Sequence, residues 1–162
     1  MNFWKVFCIQ LLCVGSASAE YIDPARQAEL NGFTGCATAI KTEMKNFDAA
    51  PDARYITHWD TTTVAKSLAF TYVYGKAGDT VQGTIMFWKD GGQCWAHNFT
   101  TITFTQTCMQ YKEENPAWQY KATLGDYTFT QNKGGVYALL KDFHNGCIVQ
   151  IQRTGAFPIT RN

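Results

Sequence analysis

The sequence contains few charged residues, in nearly equal numbers of the two signs. Asp, Glu, Lys and Arg make up 17% of its 162 residues, and the formal net charge is +1 at pH 7. A basic run, the usual mark of proteins that bind nucleic acid or an anionic membrane surface, is missing. Aromatic residues make up 15% of the chain, which is too many for an intrinsically disordered protein. The composition predicts a folded protein, and the length suits a single domain.

The sequence motifs of common enzyme classes are missing as well. Ser67, the only serine after the first nineteen residues, has no G-x-S-x-G pattern around it, and there is no P-loop or dinucleotide fingerprint. His58, His97 and His144 are too far apart in sequence for a metal-ligand spacing. No pair of carboxylates suggests glycoside chemistry. We therefore expect a protein that is not an enzyme, with no catalytic residue, no metal and no cofactor.

The first nineteen residues have the layout of a secretory signal peptide. Lys5 precedes an apolar run from Val6 to Val14, and Ala17-Ser18-Ala19 supplies small residues before a cleavage site. The apolar run is too short to cross the roughly 30 Å hydrocarbon core of a bilayer. We predict that residues 1–19 are removed, and that residues 20–162 form one secreted, extracellular domain without membrane insertion.

Four cysteines remain in the predicted mature chain: Cys36, Cys94, Cys108 and Cys147. In an oxidising compartment, four cysteines form two disulfides, and three pairings are possible. If Cys94 and Cys108 flank one continuous strand, they lie roughly 45 Å apart at about 3.3 Å per residue. Because a disulfide needs Cα atoms within about 7 Å, these two cysteines are not expected to pair. Two pairings stay open.

Residues 20–50 show the spacing of helices. Asp23-Pro24 is typical of an N-cap followed by a first-turn proline, and it predicts a short helix through about Leu30. A second helix is predicted from about Thr34 to Phe47, with the charged residues Lys41, Glu43 and Lys45 mostly away from its apolar face. That face holds Cys36, Ile40, Met44 and Phe47.

From residue 53 to about residue 155, the hydrophobic pattern has a period of two. Turn signals, of which Asp90-Gly91-Gly92 is the clearest, divide this region into as many as eight strands. Short connections favour antiparallel neighbours in an up-and-down meander, and the sequence shows no internal repeat. The predicted strands are Arg54–Trp59, Ser67–Tyr74, Thr80–Lys89, Cys94–Thr107, Trp118–Thr123, Tyr127–Gln131, Val136–Phe143 and Cys147–Arg153.

A mainly β domain of this kind, preceded by an N-terminal helix, has two natural architectures. A lipocalin-like barrel removes both exposed sheet edges and leaves room for one small ligand, and we favour it. The alternative is an α+β fold, in which an open antiparallel sheet carries the helix across one face.

The number of strands between the cysteines also predicts where Cys147 lies. If Tyr127–Gln131 is a separate strand, the alternation of strand directions places Cys147 at the same end of the barrel or sheet as Cys94. If it continues the preceding strand, Cys147 lies at the same end as Cys108.

Apolar and aromatic side chains alternate along three of the predicted strands. They either pack a filled core or line a small-ligand cavity that has a few polar tips. Asn98-Phe99-Thr100 is a glycosylation acceptor if the source is eukaryotic, and a glycosylated Asn98 would point outward and so turn His97 and Phe99 inward. The candidate ligand-binding residues are Phe70, Tyr72, Tyr74, Ile85, Phe87, Trp95, His97 and Phe99.

A characteristic series of short segments occurs between Thr101 and Arg153. They are the threonine-rich strand Thr101–Thr105, Tyr111 and the charged turn Lys112–Asn115, the strand start Trp118-Gln-Tyr120, the apolar strand Val136–Leu140 that closes in Asp142-Phe143, and Cys147 before Ile148-Val149. In order and spacing, this series resembles the second half of the tick salivary lipocalins, the histamine-binding-protein family of the calycins.

The resemblance implies a secreted salivary barrel that sequesters a host mediator, such as a biogenic amine or a lipid, or that binds a host protein. Amine capture in that family uses carboxylates inside the barrel, and the predicted strands here contain almost no Asp or Glu. We therefore expect a monomeric binding protein for a small hydrophobic or aromatic ligand, with an amine as the less suited ligand. The second hypothesis is a secreted or periplasmic inhibitor or immunity-type protein, which acts by protein–protein contact and has no internal ligand.

Overall fold

The structure of the chain, a computed structural model, describes residues 23–50, 52–59, 62, 65–144 and 146–160. The predicted signal peptide lies outside these residues. No helix among them is long and apolar enough to cross a membrane. The elements are α1 (Pro24–Leu30), α2 (Ala37–Asp48), β1 (Arg54–His58), β2 (Ser67–Lys76), β3 (Asp79–Asp90), β4 (Gln93–Phe104), α3 (Cys108–Glu114), β5 (Gln119–Leu124), β6 (Tyr127–Gln131), β7 (Tyr137–Phe143) and β8 (Gly146–Pro158).

The two predicted N-terminal helices are confirmed. The side chain of Asp23 accepts a 3.0 Å hydrogen bond from the backbone N–H of Arg26 and so caps α1. Helix α2 buries the apolar face that its spacing predicts, including Ile40, Met44 and Phe47. The structure adds α3, which the sequence analysis missed. The hydroxyl of Thr107 and the side chain of Gln110 form a capping box at the start of this seven-residue helix.

The eight strands form one antiparallel sheet in the order β1-β2-β3-β4-β8-β7-β6-β5. After β4 the chain passes through α3, and β8, rather than β5, pairs with β4. This pairing leaves β1 and β5 as the two outer strands, which do not pair with each other in the described part of the chain. The structure therefore does not show the barrel that we favoured and matches the alternative architecture, an open antiparallel sheet with helices across one face.

The two halves of the sheet are related by an approximate two-fold axis. Each half is a helix followed by a four-stranded meander, and β4 and β8 meet at the centre. Disulfide Cys36–Cys94 joins the start of α2 to β4, and disulfide Cys108–Cys147 joins the start of α3 to β8. The axis passes between Phe99 and Gln152, which are paired and which each lie five residues after their cysteine.

Helices α2 and α3 lie on the same side of the sheet, which we call the helix-covered face. Helix α2 packs over β2, β4 and β8, and α3 packs over β7 and β8. The core consists of two separate clusters, one centred on Phe47, Phe70 and Phe87 and the other on Leu140 and Val149. The opposite side, which we call the open face, has no helix packed against it among the described elements.

Candidate functional site

The sheet divides the eight predicted ligand-binding residues between its two faces. Five of them lie on the helix-covered face: Phe70, Tyr72, Tyr74, Ile85 and Phe87. Of these, Phe70, Ile85 and Phe87 are fully buried in the core cluster centred on Phe47, Phe70 and Phe87. The other three, Trp95, His97 and Phe99, lie on the open face. The eight residues therefore do not line one cavity, because neighbouring strands bring only alternate residues to a given face.

The orientation of β4 is opposite to the one that a glycosylated Asn98 requires. Asn98 pairs with Ile85 and shares its helix-covered face, so the side chains of His97 and Phe99 turn to the open face. Asn98 is only 6% exposed. Its Nδ2 donates a 3.2 Å hydrogen bond to Oε2 of Glu43 on α2. An N-linked glycan on Nδ2 would have to displace this contact.

A cavity of about 290 Å³ lies on the helix-covered face between the two core clusters. The first half of the molecule contributes α2, β2, β3 and β4, and the second half contributes β8, Trp118 and the turn between β6 and β7. Polar and apolar surface contribute about equally to the walls, and the apolar part includes rings from Phe47, Tyr72, Tyr74 and Trp118. We call this space the inner cavity. Its size is close to the lower limit for small-molecule sites, roughly 300 Å³.

A buried carboxylate faces the inner cavity. The side chain of Glu43 is 6% exposed, and Nη2 of Arg153, which is 47% exposed, donates a 2.7 Å hydrogen bond to its Oε2. The amide of Asn98 donates to the same oxygen. The second oxygen, Oε1, accepts no hydrogen bond from the described part of the chain. The cluster therefore holds one oxygen of Glu43 firmly and leaves the other available.

Hydroxyl groups extend this polar cluster along β4. The hydroxyl of Tyr72 lies 2.7 Å from Oγ1 of Thr100, which donates a 2.8 Å hydrogen bond to Oδ1 of Asn98. Burial raises the pKa of Tyr72, while the hydrogen bond to Thr100 and the nearby charge of Arg153 oppose the rise. Tyr72 is therefore a neutral hydroxyl at physiological pH. Because Thr100 donates its proton to Asn98, Tyr72 donates its own proton to Thr100 and can only accept a further hydrogen bond.

The aromatic rings around the cavity contact one another edge to face and in a stack. The ring of Phe47 meets those of Tyr72 and Tyr74 at centroid distances of 5.9 and 6.4 Å, and the two tyrosine rings are stacked at 6.1 Å. Such contacts add to the burial energy and hold the rings in place. The cavity wall is therefore a rigid aromatic surface beside one carboxylate.

The sequence analysis placed Glu43 mostly outside the buried face of its helix, and this was wrong. Glu43 follows Ile40 by three residues and precedes Phe47 by four, so it belongs to the same helical stripe as those buried residues. The spacing alone could have identified it. A charged side chain is usually exposed, and Glu43 can be buried only because Arg153 of β8 and Asn98 of β4 donate hydrogen bonds to its carboxylate.

The three histidines remain apart in the structure. His58 lies in β1, and His144 lies in the turn between β7 and β8 with a φ of 49°. Nδ1 of His97 is 3.0 Å from Oγ1 of Thr154 on the open face. Among the described residues, no group of three His, Cys, Asp or Glu side chains could hold a metal ion.

Comparison of the chain with models of protein families, with curated proteins and with solved structures finds no match. The functional argument therefore depends on the geometry of the inner cavity, the two disulfides and the sequence.

Proposed function

We propose that this is a secreted binding protein that holds one small, largely apolar or aromatic molecule in the inner cavity. The observation that carries the proposal is the position of Glu43, which lines the inner cavity together with Phe47, Tyr72, Tyr74 and Trp118 and whose Oε1 accepts no hydrogen bond from the described residues. Two disulfides fit an oxidising compartment. The resemblance to tick salivary lipocalins stays a sequence-based prediction and agrees with sequestration of a host mediator.

The free oxygen of Glu43 selects among the expected ligands. The oxygen left without a partner favours a molecule that donates a hydrogen bond to it, such as an amine on an apolar body, while the charge of Glu43 is already balanced by Arg153. The sequence analysis judged an amine the less suited ligand because the strands contain few acids. Helix α2 supplies the carboxylate instead, so the structure removes that objection.

The test is native mass spectrometry of the purified, secreted protein beside its denatured mass. We expect a mass excess that disappears on denaturation, because a bound ligand is released when the cavity opens. Val81→Phe should abolish the excess, since Val81 lines the inner cavity and the larger ring fills part of it. Val73→Phe is the matched control, because Val73 lies on the open face and is 43% exposed.

Glu43→Gln separates the two kinds of ligand. Loss of the excess in this variant indicates a ligand that needs the carboxylate as its hydrogen-bond acceptor, and retention indicates a ligand held by the aromatic rings alone. If the wild-type protein carries no excess and binds neither apolar amines nor neutral aromatic molecules in solution, the cavity proposal is wrong. The second hypothesis, an inhibitor that acts through protein contact, would then be tested by a partner pull-down.

A further inference from the structure

The inner cavity is lined by one charged side chain of each sign. Of the described residues around it, Glu43 and Arg153 are the only ones with an acidic or a basic side chain, and the two form an ion pair. A ligand with a single charge is attracted by one member of this pair and repelled by the other. The cavity therefore favours an occupant whose net charge is zero.

Both members of the ion pair keep hydrogen-bonding capacity that the protein does not use. Oε2 of Glu43 accepts from Arg153 and Asn98, whereas Oε1 accepts no hydrogen bond from the residues that the structure describes. The guanidinium of Arg153 has five N–H donors, and its only hydrogen bond to a described residue runs from Nη2 to Glu43. The pair therefore offers a ligand both a charged acceptor and charged donors.

Gly155 contributes no side chain beside the unused oxygen of Glu43. It follows Arg153 by two residues on β8, so both residues belong to the helix-covered face. A Cβ atom added at Gly155 would lie 3.6 Å from Oε1 of Glu43. A glycine inside a strand often marks a place where a ligand approaches closely, and this one lies next to the oxygen that lacks a donor.

We propose that the ligand of the inner cavity is a zwitterion, namely an aromatic amino acid in its free form. Its ammonium group donates to Oε1 of Glu43, and its carboxylate accepts from the unused N–H groups of Arg153. Its ring packs against those of Phe47, Tyr74 and Trp118, which line the same cavity. This inference rests on the proposed function, because it takes the inner cavity as the binding site and names the class of molecule bound there.

Aromatic molecules that lack one or both of these charges fit the cavity less well. An aromatic amine satisfies Glu43 but brings a charge of the same sign towards Arg153, and an aromatic carboxylic acid does the reverse. An aromatic molecule with neither group leaves Oε1 of Glu43 without a donor while it displaces water from the cavity, and an unpaired polar group that loses its water carries a free-energy penalty.

The test is isothermal titration of the purified, secreted protein, after exhaustive dialysis, with L-phenylalanine, L-tyrosine and L-tryptophan. Blocked forms of the tightest-binding amino acid follow. The amide is a cation because it lacks the carboxylate, the N-acetyl form is an anion because it lacks the ammonium group, and the N-acetyl amide carries no charge. We expect the free amino acid to bind with a Kd below about 1 mM and each blocked form to bind at least about tenfold more weakly.

Two variants assign the two charged contacts. Glu43→Gln should reduce the preference for the free amino acid over its N-acetyl form about tenfold, because the N-acetyl form has no ammonium group to lose a partner. Arg153→Gln should reduce the preference for the free amino acid over its amide by a similar factor. Glu29→Gln and Arg26→Gln, at exposed positions of α1, are the matched controls and should leave every Kd unchanged.

The proposal is overturned if a blocked form binds as tightly as the free amino acid, or if Val81→Phe, which fills part of the cavity, leaves the Kd of the free amino acid unchanged. It is also overturned if no aromatic amino acid binds while an apolar amine or an uncharged aromatic molecule does, and the cavity proposal then stands alone. If no compound of either set binds, both proposals are wrong. The blocked forms decide the matter on the wild-type protein, so the test does not depend on the folding of Glu43→Gln or Arg153→Gln.

Discussion

Arg153 and Glu43 are 110 residues apart in sequence, yet Nη2 of Arg153 lies 2.7 Å from Oε2 of Glu43. The contact joins α2, in the first half of the molecule, to the last strand, β8. Asn98, which is paired with Arg153 across β4 and β8, donates to the same oxygen. The inner cavity thus has its polar end where the two halves of the fold meet. Five predictions follow from this arrangement and from the contacts around it.

Asn98→Ala should lower the free energy of unfolding by about 1–3 kcal/mol. The substitution removes one of the two donors to the buried carboxylate of Glu43 and the acceptor of the Thr100 hydroxyl, and unpaired buried groups carry a penalty of that size. Urea denaturation measures the change. Asn46→Ala, an exposed position on α2, is the control and should change stability by less than about 0.5 kcal/mol.

The burial of Asn98 also bears on glycosylation. Because its Nδ2 is held against Glu43, we expect the folded protein secreted from eukaryotic cells to carry no glycan at this residue. Mass spectrometry of the peptide that contains Asn98 decides the point. A glycan found there would contradict the position of β4 relative to α2.

Gly83→Ala should destabilise the protein by about 1–3 kcal/mol through overpacking. A Cβ atom at Gly83 would lie 2.5 Å from the hydroxyl oxygen of Tyr72 and 2.7 Å from the backbone oxygen of Phe99. Because Tyr72 must move to make room, ligand binding in the inner cavity should weaken as well. Gly134→Ala is the control, since its Cβ would approach only the side chain of Asn132, at 3.3 Å. Equal stability losses in the two variants would contradict the packing of Tyr72.

Non-reducing peptide mapping should find the pairs Cys36–Cys94 and Cys108–Cys147. Removing either pair by double substitution with alanine should lower the free energy of unfolding by about 2–5 kcal/mol, because each bond closes a long loop in the unfolded chain. Denaturation in urea measures both losses. A Cys36–Cys108 peptide would be incompatible with the sheet order.

Stability should fall as the pH rises from about 10, the ordinary pKa of tyrosine. Burial raises the pKa of Tyr55, Tyr72, Tyr74 and Tyr111 in the folded protein. The unfolded chain therefore loses these protons at a lower pH than the folded protein does, so stability present below pH 10 is lost as the pH rises through the folded-state pKa values.

Urea titrations at a series of alkaline pH values measure this loss of stability. Tyr72→Phe should make the loss of stability with pH shallower, because the variant lacks one of the hydroxyls whose pKa differs between the folded and the unfolded state. Tyr120→Phe controls for the removal of a hydroxyl from an exposed side chain. A Tyr72→Phe variant with the wild-type slope would contradict the burial of that hydroxyl.

Most helices and strands could be predicted from the sequence because their signals are local. The cap at Asp23, the apolar stripe of α2 and the hairpin at Asp90-Gly91-Gly92 each act over a few residues, and all three occur as expected. Helix α3 had a signal of the same kind in Thr107 and Gln110. It was missed because its seven residues are too few for a clear periodicity.

The order of the strands could not be predicted in the same way. The alternation of strand directions predicted that Cys147 lies at the same end of the sheet as Cys94 if Tyr127–Gln131 forms its own strand. Tyr127–Gln131 does form its own strand, yet Cys147 lies at the opposite end. The argument failed because it assumed that β4 and β5 are neighbours. The four antiparallel steps from β4 through β8, β7 and β6 give β5 the same direction as β4. Cys147 therefore lies beside Phe104 and bonds to Cys108.

The sequence by itself determined every element except α3, the two sets of side chains on each strand and the exclusion of a Cys94–Cys108 bond, because these follow from local spacing and chain length. Tertiary structure alone decided which strand pairs with β4, which side of the sheet the helices cover and whether Asn98 or Phe99 is buried. The physical reason is that alternation gives every strand two faces, and only the packing of α2 and α3 makes one of them the interior. The site of Glu43, Asn98 and Arg153 belongs to this second group, since it exists only where three distant segments meet.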